Sequence, residues 1–454
     1  MSARWGWWLL VVWLCVWGRQ AEAVPVQRFV MPNGAQVVLI ESHVNPMVEV
    51  RILTRGGSAY DPPGKDGVAS MTAWMFNEGG GERDSAAFQE RLRHYGITLS
   101  AAATQDTMEV SMTTLSEHLE PAWAMLADAM LRPRADPEDL QRGLRERVAE
   151  LIKGEEDADF RITRVFYPQL YGSHPYARPV TGSVESVKTI AIDDIERHHA
   201  GLFHAPGLVV AVAGDVTLER LQALMTRHFE GLKAEPGPFA PLPLADPPET
   251  GLSRHIEMDL PQTTLRVGWV GINRDDPDFY VMTVMNQILG GGGLPSRLTT
   301  VIREERGLTY GIFSYFSLLA ARGPFVVGTD TKTESASEVL SLIHEQLRRI
   351  VEEPVGEGEL RDVKRYLTGS FFLHLDGLDK LAETWSRIVF FQRGMDYLDK
   401  WPERIRAVTP EDIRRLARRI VNFRQLQTVS AGQHAPRQAG GDNPSQRQSS
   451  PPSP

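Results

Sequence analysis

The chain has 454 residues, which is too long for one compact core, so we expect two or more domains. Its hydrophobic fraction of 42% and charged fraction of 24% are those of an ordinary globular protein. The formal net charge is −9, and lysine and arginine form no stripe interleaved with aromatic residues, which argues against a nucleic-acid-binding protein.

The first residues predict export. Arg4 precedes an apolar run from Trp5 to Trp17, and Ala21-Glu22-Ala23 has the small residues of a cleavage site. The apolar run is too short for a comfortable membrane span, so we predict a signal peptide at residues 1–23 and a periplasmic protein. A retained signal anchor is the alternative. Cleavage would remove Cys15, the only cysteine, and leave no disulfide, thiolate chemistry or cysteine-based zinc site.

Residues 24–232 are predicted to form the first domain. Alternating and helical apolar patterns bounded by turn residues indicate its strands and helices. Val24–Gly34 opens with a strand and ends in a Pro-Asn-Gly turn, which with the next strand, Ala35–Ile40, predicts a hairpin. The other predicted strands are Met47–Thr54, Thr98–Ala102, Thr107–Thr113 and Leu208–Val212. The predicted helices are Gly67–Asn77, Ser85–Tyr95 with Ser85 as its cap, Glu117–Leu131, Pro137–Glu155 and Thr217–Phe229.

Residues 233–250 contain six prolines and predict an extended linker. After the linker the first half repeats, which predicts a second related domain at residues 251–432. Its predicted elements are strands Thr263–Val270, Thr309–Phe316 and Phe325–Thr329, and helices Asp278–Leu289, Ser335–Glu353, Gly358–Phe372 and Pro410–Val421. The fold class is therefore α+β, with a mainly antiparallel sheet packed with helices in each domain. The composition of residues 433–454 predicts a disordered tail.

Two local patterns have residues that could carry chemistry. The run Gly290, Gly291, Gly292 and Gly293 follows a helix and precedes no Gly-Lys-Ser/Thr, which argues against a P-loop or dinucleotide-binding loop, and a flexible hinge is predicted. A short amphipathic helix at Pro295–Arg306 follows. The cluster of His198, His199 and His204 predicts a solvated helix end in preference to a metal site.

Arg303 and Tyr310 stand seven residues apart on the predicted helix and strand that follow the glycines. On two rigid elements joined by a tight turn, the guanidinium and the phenol could face one cleft. The local sequence alone favours the alternative, an inert corner with a solvated arginine and a half-buried tyrosine.

Five motifs in collinear order resemble the pitrilysin/insulinase superfamily of zinc metallopeptidases, and its processing-peptidase-like branch in particular. They are Arg55–Pro62, Tyr171–Pro179, Val212–Val216, Ser296–Leu298 and Arg306–Tyr310 with Ser314-Tyr315. The catalytic motif of that family is His-x-x-Glu-His, with a further downstream glutamate as third zinc ligand. The matching positions here are Ser70, Ala73 and Trp74, with the glutamate kept at Glu150. One carboxylate without imidazoles does not hold zinc, so we expect no metal in this chain.

The resemblance also implies roles for the surviving pair. Family members use an arginine and a tyrosine at the positions of Arg303 and Tyr310 to bind substrate and the oxyanion beside zinc. The family's substrate-edge strand carries an Asn-Ala pair, which here reads Ser100-Ala101 and puts peptide binding along that strand in doubt.

The resemblance therefore implies a noncatalytic, zinc-less subunit of a heterodimeric periplasmic metallopeptidase. Its partner would be a homologue with His-x-x-Glu-His that holds the zinc, and the substrates would be unstructured peptides. No nucleic-acid partner, and no stable membrane span after signal cleavage, is expected. The alternative is a peptidase-derived binding or assembly module with no proteolytic role.

Overall fold

The computed structural model describes residues 26–134, 136–293 and 295–434. The predicted signal peptide at residues 1–23 and nearly all of the predicted tail at 433–454 lie outside the described residues. Within the described chain, no helix is long and apolar enough to cross a membrane.

The strands form two sheets. Their bounds are β1 (Val26–Val30), β2 (Gln36–Glu41), β3 (Met47–Arg55), β4 (Thr98–Ala103), β5 (Thr107–Leu115), β6 (Val209–Gly214), β7 (Ser253–Glu257), β8 (Gln262–Val270), β9 (Thr309–Phe316), β10 (Pro324–Lys332) and β11 (Gln427–Gly432).

Helices pack on both sheets. Their bounds are α1 (Val68–Met75), α2 (Ser85–Tyr95), α3 (Leu119–Leu131), α4 (Pro137–Gly154), α5 (Ala158–Tyr171), α6 (Val184–Val187), α7 (Ile192–Ala200), α8 (Leu218–Phe229), α9 (Phe279–Leu289), α10 (Ala336–Glu352), α11 (Glu357–Ser370), α12 (Leu378–Phe390), α13 (Tyr397–Ala407) and α14 (Pro410–Ile420).

Five strands of the first sheet have the same order as the five strands of the second, and β1 is an additional edge strand of the first. The first has the strand order β1-β2-β6-β3-β5-β4 and the second has β7-β11-β8-β10-β9. In each, one pair is parallel (β2 with β6, β7 with β11) and the other pairs are antiparallel. The predicted α+β class and the repeated architecture are confirmed. Strands β4 and β9 occupy equivalent outer positions.

Each half contributes a helix to the sheet of the other half. Helix α5 packs on β8 and β11 of the second sheet, while α12 packs on β2, β3 and β6 of the first. Phe166 and Leu170 of α5 lie in one buried cluster with Val429 of β11. Trp385 of α12 lies in another with Val209 and Ala211 of β6. Because burial of these apolar faces needs both halves, the halves are expected to stabilise each other.

The predicted linker has no helix or strand, and it lies on the protein surface in fixed contacts. The ring of Phe239 packs 5.0 Å from that of Tyr60, and Ala245 is buried between the halves. The Arg55 side chain donates a hydrogen bond to the Phe239 carbonyl at 3.1 Å. These contacts attach the linker to the first half at Phe239 and place its later part, at Ala245, between the halves.

The structure overturns one local prediction and refines another. Asp84, and not Ser85, caps α2, because its carboxylate accepts the Ala87 N–H at 2.9 Å. The predicted amphipathic helix at Pro295–Arg306 is present at residues 297–304, but Thr299–Glu304 has π-helical geometry, in which the Glu305 N–H donates to the Thr300 carbonyl at 2.9 Å. A π-helix is a rare geometry that occurs often at functional sites.

The histidine cluster is not a solvated helix end. His198 and His204 are only 5% and 8% exposed. His198 Nε2 donates to the Gly56 carbonyl at 2.9 Å, and His204 Nδ1 donates to the Glu235 carbonyl at 3.0 Å. Burial lowers the pKa of His198 to about 4, so its imidazole is neutral at physiological pH. These histidines serve as buried hydrogen-bond donors.

Candidate functional site

The start of α1 is held by a buried carboxylate. Asp61 accepts hydrogen bonds from the Gly67 N–H at 2.7 Å and the Ala69 N–H at 2.8 Å. A negative group at this place also complements the helix dipole. Burial is the largest influence on the Asp61 carboxyl and raises its pKa to about 7, against the opposing effect of the two N–H groups. Asp61 thereby fixes the helix that carries the degenerate zinc positions.

The degenerate positions on α1 are filled by packing. Ala73 is 3% exposed and belongs to the first-half core. The indole of Trp74 lies against the backbone of α4, since a Cβ added at Gly143 would come within 2.4 Å of the ring. The Arg142 guanidinium lies 5.9 Å from the centre of the same indole. An apolar contact between α1 and α4 therefore stands where metal ligands would be needed.

Glu150 does not compensate for the lost imidazoles. Its side chain is 67% exposed and forms an ion pair with Arg147 at 3.0 Å on the same helix. Ser70, on α1, supplies only a hydroxyl, which is a poor zinc ligand. In the described part of the chain, no three histidine, cysteine, aspartate or glutamate side chains are arranged to hold a metal ion. The residues present do not fit a zinc ion.

Strand β4 carries the Ser100-Ala101 pair at the outer position of the first sheet. Ser100 Oγ and Ser111 Oγ of β5 share a hydrogen bond at 2.6 Å. The serine hydroxyl is therefore engaged across the sheet, which leaves the outer backbone edge of β4 as the group that an extended peptide could pair with.

Arg303 lies on the π-helix between the glycine run and β9. Its side chain is exposed, and it forms no hydrogen bond or ion pair with any residue that the structure describes. The π-helix packs against β9, which begins five residues after the helix ends. The guanidinium is free to bind a group from another molecule.

A β-bulge turns Tyr310 towards solvent. Thr309 pairs with Thr331 and Ile312 pairs with Thr329, so Tyr310 and Gly311 together stand opposite the single residue Asp330. Such an extra residue shifts the alternation of the strand and redirects side chains. The Tyr310 side chain is 91% exposed in consequence, on a strand whose next positions Ile312 and Ser314 are buried.

A buried hydroxyl pair holds the bulge. Thr309 Oγ1 lies 2.9 Å from Thr329 Oγ1, and it accepts the Gly311 N–H at 3.1 Å. Thr329 Oγ1 donates to the Gly311 carbonyl at 2.8 Å. The backbone groups freed by the bulge are thus satisfied by side chains, and the backbone that carries Tyr310 is held in place.

The glycine run packs more tightly than a free hinge would require. A Cβ at Gly290 would lie 2.6 Å from the Ser314 backbone nitrogen, and a Cβ at Gly293, where φ is +86°, would lie 1.7 Å from the Tyr366 hydroxyl. Gly292 has open space around it. Close approach of the backbone explains Gly290 and Gly293, and the hinge role of the run stays a prediction.

The segment after the glycines is tied to α11 by a bidentate ion pair. Arg297 Nε and Nη2 each lie 2.8 Å from the Glu359 carboxylate, and the arginine side chain is largely buried. Such paired contacts are geometrically specific. They hold the N-terminal side of the π-helix, so Arg303 is presented from an anchored element.

The sequence alone does not mark Thr309, Thr329 or Gly143, which packs against Trp74, as residues of the site. A Thr-Tyr-Gly order at the start of a predicted strand is the one signal that favours a bulge, because glycine relaxes backbone constraints there. The contact between Trp74 and Gly143 joins positions far apart in the chain, and no local pattern indicates it.

Two family models match the chain. The insulinase (peptidase family M16) model matches residues 36–182, and the peptidase M16 inactive domain model matches residues 189–367. A Helicobacter pylori protein named as the non-peptidase homolog YmxG is 26% identical over 362 residues, covering 78% of this chain and 81% of its own length. An uncharacterized zinc protease of Streptomyces coelicolor is 25% identical over 414 residues, with 89% of each chain covered.

A solved structure agrees with these matches. The crystal structure of a peptidase M16 inactive domain from Pseudomonas fluorescens is 28% identical, covers 91% of this chain and 100% of its own, and superposes with a TM-score of 0.84. The relatives thus include proteins named as peptidases and proteins named as inactive. The residues at positions 70, 73 and 74 place this chain with the inactive ones.

Proposed function

Because the chain belongs to the insulinase-type M16 peptidase family and is an inactive homologue within it, we propose that it is the noncatalytic subunit of a heterodimeric periplasmic zinc metallopeptidase. It closes a proteolytic chamber with a homologous partner that carries His-x-x-Glu-His. The partner holds the zinc, and the substrates are unstructured peptides.

The observation that carries this proposal is the contrast between the two halves. In the first half, Ala73 and Trp74 are committed to packing. In the second half, the side chains of Arg303 and Tyr310 are exposed and form no hydrogen bond or ion pair within the described chain. If the start of β9 were purely structural, there would be no reason to expose the Tyr310 phenol almost completely on a bulge that buried threonines stabilise.

The chemistry available to the pair is binding of carbonyl oxygens. The Tyr310 hydroxyl can donate a hydrogen bond to the oxyanion that forms when water attacks a peptide carbonyl. The Arg303 guanidinium can donate to a substrate carbonyl and orient the chain. Since the chain's own first half has no base and no imidazole at the equivalent positions, this chemistry would act in trans on the partner's site.

The alternative is a peptidase-derived assembly module with no proteolytic role. It is favoured by the extensive helix exchange between the halves, since α5 and α12 make the chain one stable body independent of catalysis. It offers no reason for the exposure of Tyr310. The two functions differ in whether turnover in a complex depends on this chain.

The test uses the chain alone and with its partner. Purified alone, the chain should contain less than stoichiometric zinc and should not cleave an unstructured peptide. Co-expressed with a His-x-x-Glu-His homologue from the same genome, it should form a stable complex that cleaves the peptide. Replacing the motif glutamate of that homologue by glutamine should abolish the cleavage.

Two results would contradict the proposal. Stoichiometric zinc with EDTA-sensitive cleavage by the chain alone would show that it has its own catalytic site. A stable complex whose partner turns over equally fast without this chain would favour the assembly module.

A further inference from the structure

A cleft of about 740 Å³ lies where the linker meets both halves. Its lining includes Arg55 and Tyr60 from the first half, Phe239 from the linker, and Arg274 and Gln392 from the second half. No lining residue comes from α1, α4 or β9, so the cleft is separate from Trp74, Glu150 and Tyr310. Its volume is in the range of about 300–1,000 Å³ typical of small-ligand sites.

Three guanidinium groups converge on this cleft. Arg274 is buried, lies 3.8 Å from Asp106, and stacks with its Cζ 3.3 Å from the centre of the Phe391 ring. Arg393 forms an ion pair with Asp275 at 3.6 Å. Arg55 is exposed and pairs with no carboxylate within the described chain.

The charges on the cleft walls leave one cation in excess. Asp106 is already engaged, because it accepts the Tyr176 hydroxyl and, at 2.7 Å, the Ala320 N–H. With Asp106 set against Arg274 and Asp275 set against Arg393, the guanidinium of Arg55 is the one without a carboxylate. One negative charge on a ligand would neutralise the cleft walls, whereas the second charge of a dianion would be repelled by the two aspartates.

Much of the remaining wall is apolar and aromatic. The Phe239 and Tyr60 rings pack 5.0 Å apart, and the Phe390 and Phe391 rings pack edge to face at 4.8 Å. Leu242 of the linker continues this surface. The wall can bury an apolar group attached to the anion.

Gln392 is held in the cleft at a cost in backbone strain. Its φ is +52°, and it is the one non-glycine residue with positive φ among those the structure describes. It ends α12 in a Schellman motif, in which its N–H donates to the Val389 carbonyl at 3.1 Å and the Arg393 N–H donates to the Ile388 carbonyl at 2.9 Å. Glycine is the residue that this position favours. A side chain kept here despite the strain indicates a use for its amide in the cleft.

We propose that this cleft binds the carboxyl terminus of a peptide that ends in an apolar residue. The terminal carboxylate lies against Arg55, the apolar side chain packs on Phe239 and Phe390, and the Gln392 amide bonds the peptide backbone. A free carboxylate supplies the single charge that the walls lack, and an amide next to it matches the donor and acceptor of glutamine. The cleft is complete within this chain, so the proposal does not depend on a partner subunit or on zinc.

The test measures binding to the full purified chain by calorimetry. The probe is N-acetyl-Ala-Ala-Ala-Ala-Leu with a free carboxylate, compared with the same peptide as a C-terminal amide. The free acid should bind at least about tenfold more tightly, as expected for a hydrogen bond to a charged group. Arg55→Gln should remove that difference, while Arg361→Gln, an exposed arginine on α11, should leave it intact.

Gln392→Gly separates ligand binding from folding. The variant should weaken binding of the free acid severalfold while its melting temperature does not fall, because glycine relieves the strain at this position. Equal binding of the acid and the amide, or unchanged binding by both Arg55→Gln and Gln392→Gly, would overturn the proposal. Binding of a medium-chain fatty acid without binding of the peptide would overturn the peptide as the occupant.

Discussion

Tyr176→Phe should destabilise the protein through a buried network that joins its halves. The Tyr176 hydroxyl donates to the Asp106 carboxylate of the β4–β5 turn and accepts the Ala321 N–H of the second half at 3.1 Å. The Asp106 carboxylate in turn accepts the Ala320 N–H at 2.7 Å. Tyr176, Asp106 and Ala321 are all buried, so water cannot replace the lost hydroxyl.

The magnitude follows from the groups left unpaired. A hydrogen bond to a charged group contributes about 1.5–3 kcal/mol, and a buried N–H without an acceptor costs about 1–3 kcal/mol. Allowing for partial relaxation, we expect Tyr176→Phe to lower the free energy of unfolding by about 3 kcal/mol. Since the network connects the halves, the unfolding transition should also broaden or divide.

The assay is guanidinium-induced unfolding of the full chain, followed by tryptophan fluorescence and by far-ultraviolet circular dichroism. The matched control is Tyr310→Phe, which removes the same hydroxyl from a side chain that is 91% exposed. The control should change the free energy of unfolding by less than about 0.5 kcal/mol. If Tyr176→Phe unfolds within about 1 kcal/mol of the original protein, the network does not hold the halves together and the reasoning is refuted.

Two further changes test local features. Hydrogen bonds to Asp215, the stronger influence, and to Glu41 raise the pKa of His43 above 6.5. The stability that His43 adds is therefore fully present below about pH 6.5 and is lost as the pH rises through the folded-state pKa. His43→Gln should then lower the melting temperature more at pH 6 than at pH 8.5, and an equal drop at both would contradict this. Gly293→Ala should cost about 1–2 kcal/mol from the positive φ alone, with more from the Tyr366 hydroxyl, whereas Gly292→Ala should be nearly neutral in urea titration. Equal effects at the two glycines would show that the loop rearranges freely.

The regular elements were largely predictable from sequence. Strand β9 has the predicted bounds Thr309–Phe316, and β3 ends one residue beyond its predicted end at Thr54. These strands have alternating apolar residues between clear turn residues, so local pattern and tertiary burial agree. The repeat of the two halves followed from the order of such elements.

The packing between the halves was not predictable. The apolar face of α12 could cover either sheet, and only contacts distant in the chain decide that it covers the first. The π-helix at Thr299–Glu304 and the bulge at Tyr310 each insert one residue into a regular pattern, which periodicity alone does not detect. The same limitation hid the buried state of His198, whose partner Gly56 lies 142 residues away.

The candidate site came from resemblance more than from local sequence. Nothing around Ser70 or Trp74 marks a zinc site, and their meaning depends on the family motif that they replace. The structure adds the physical content, because it shows Trp74 packed on Gly143 and Tyr310 turned outward by a bulge. Whether Arg303 and Tyr310 act on a partner's substrate stays a prediction.

The most direct measurement is therefore peptide turnover by the complex of this chain with its His-x-x-Glu-His partner. Tyr310→Phe should lower turnover about 100-fold, the usual effect of losing one oxyanion donor, and Arg303→Ala should also lower it, with complex formation unchanged. Arg306→Ala, an exposed neighbour paired with Glu338, is the control and should retain full turnover. Unchanged turnover in both the Tyr310→Phe and Arg303→Ala complexes would contradict a role for this chain in catalysis.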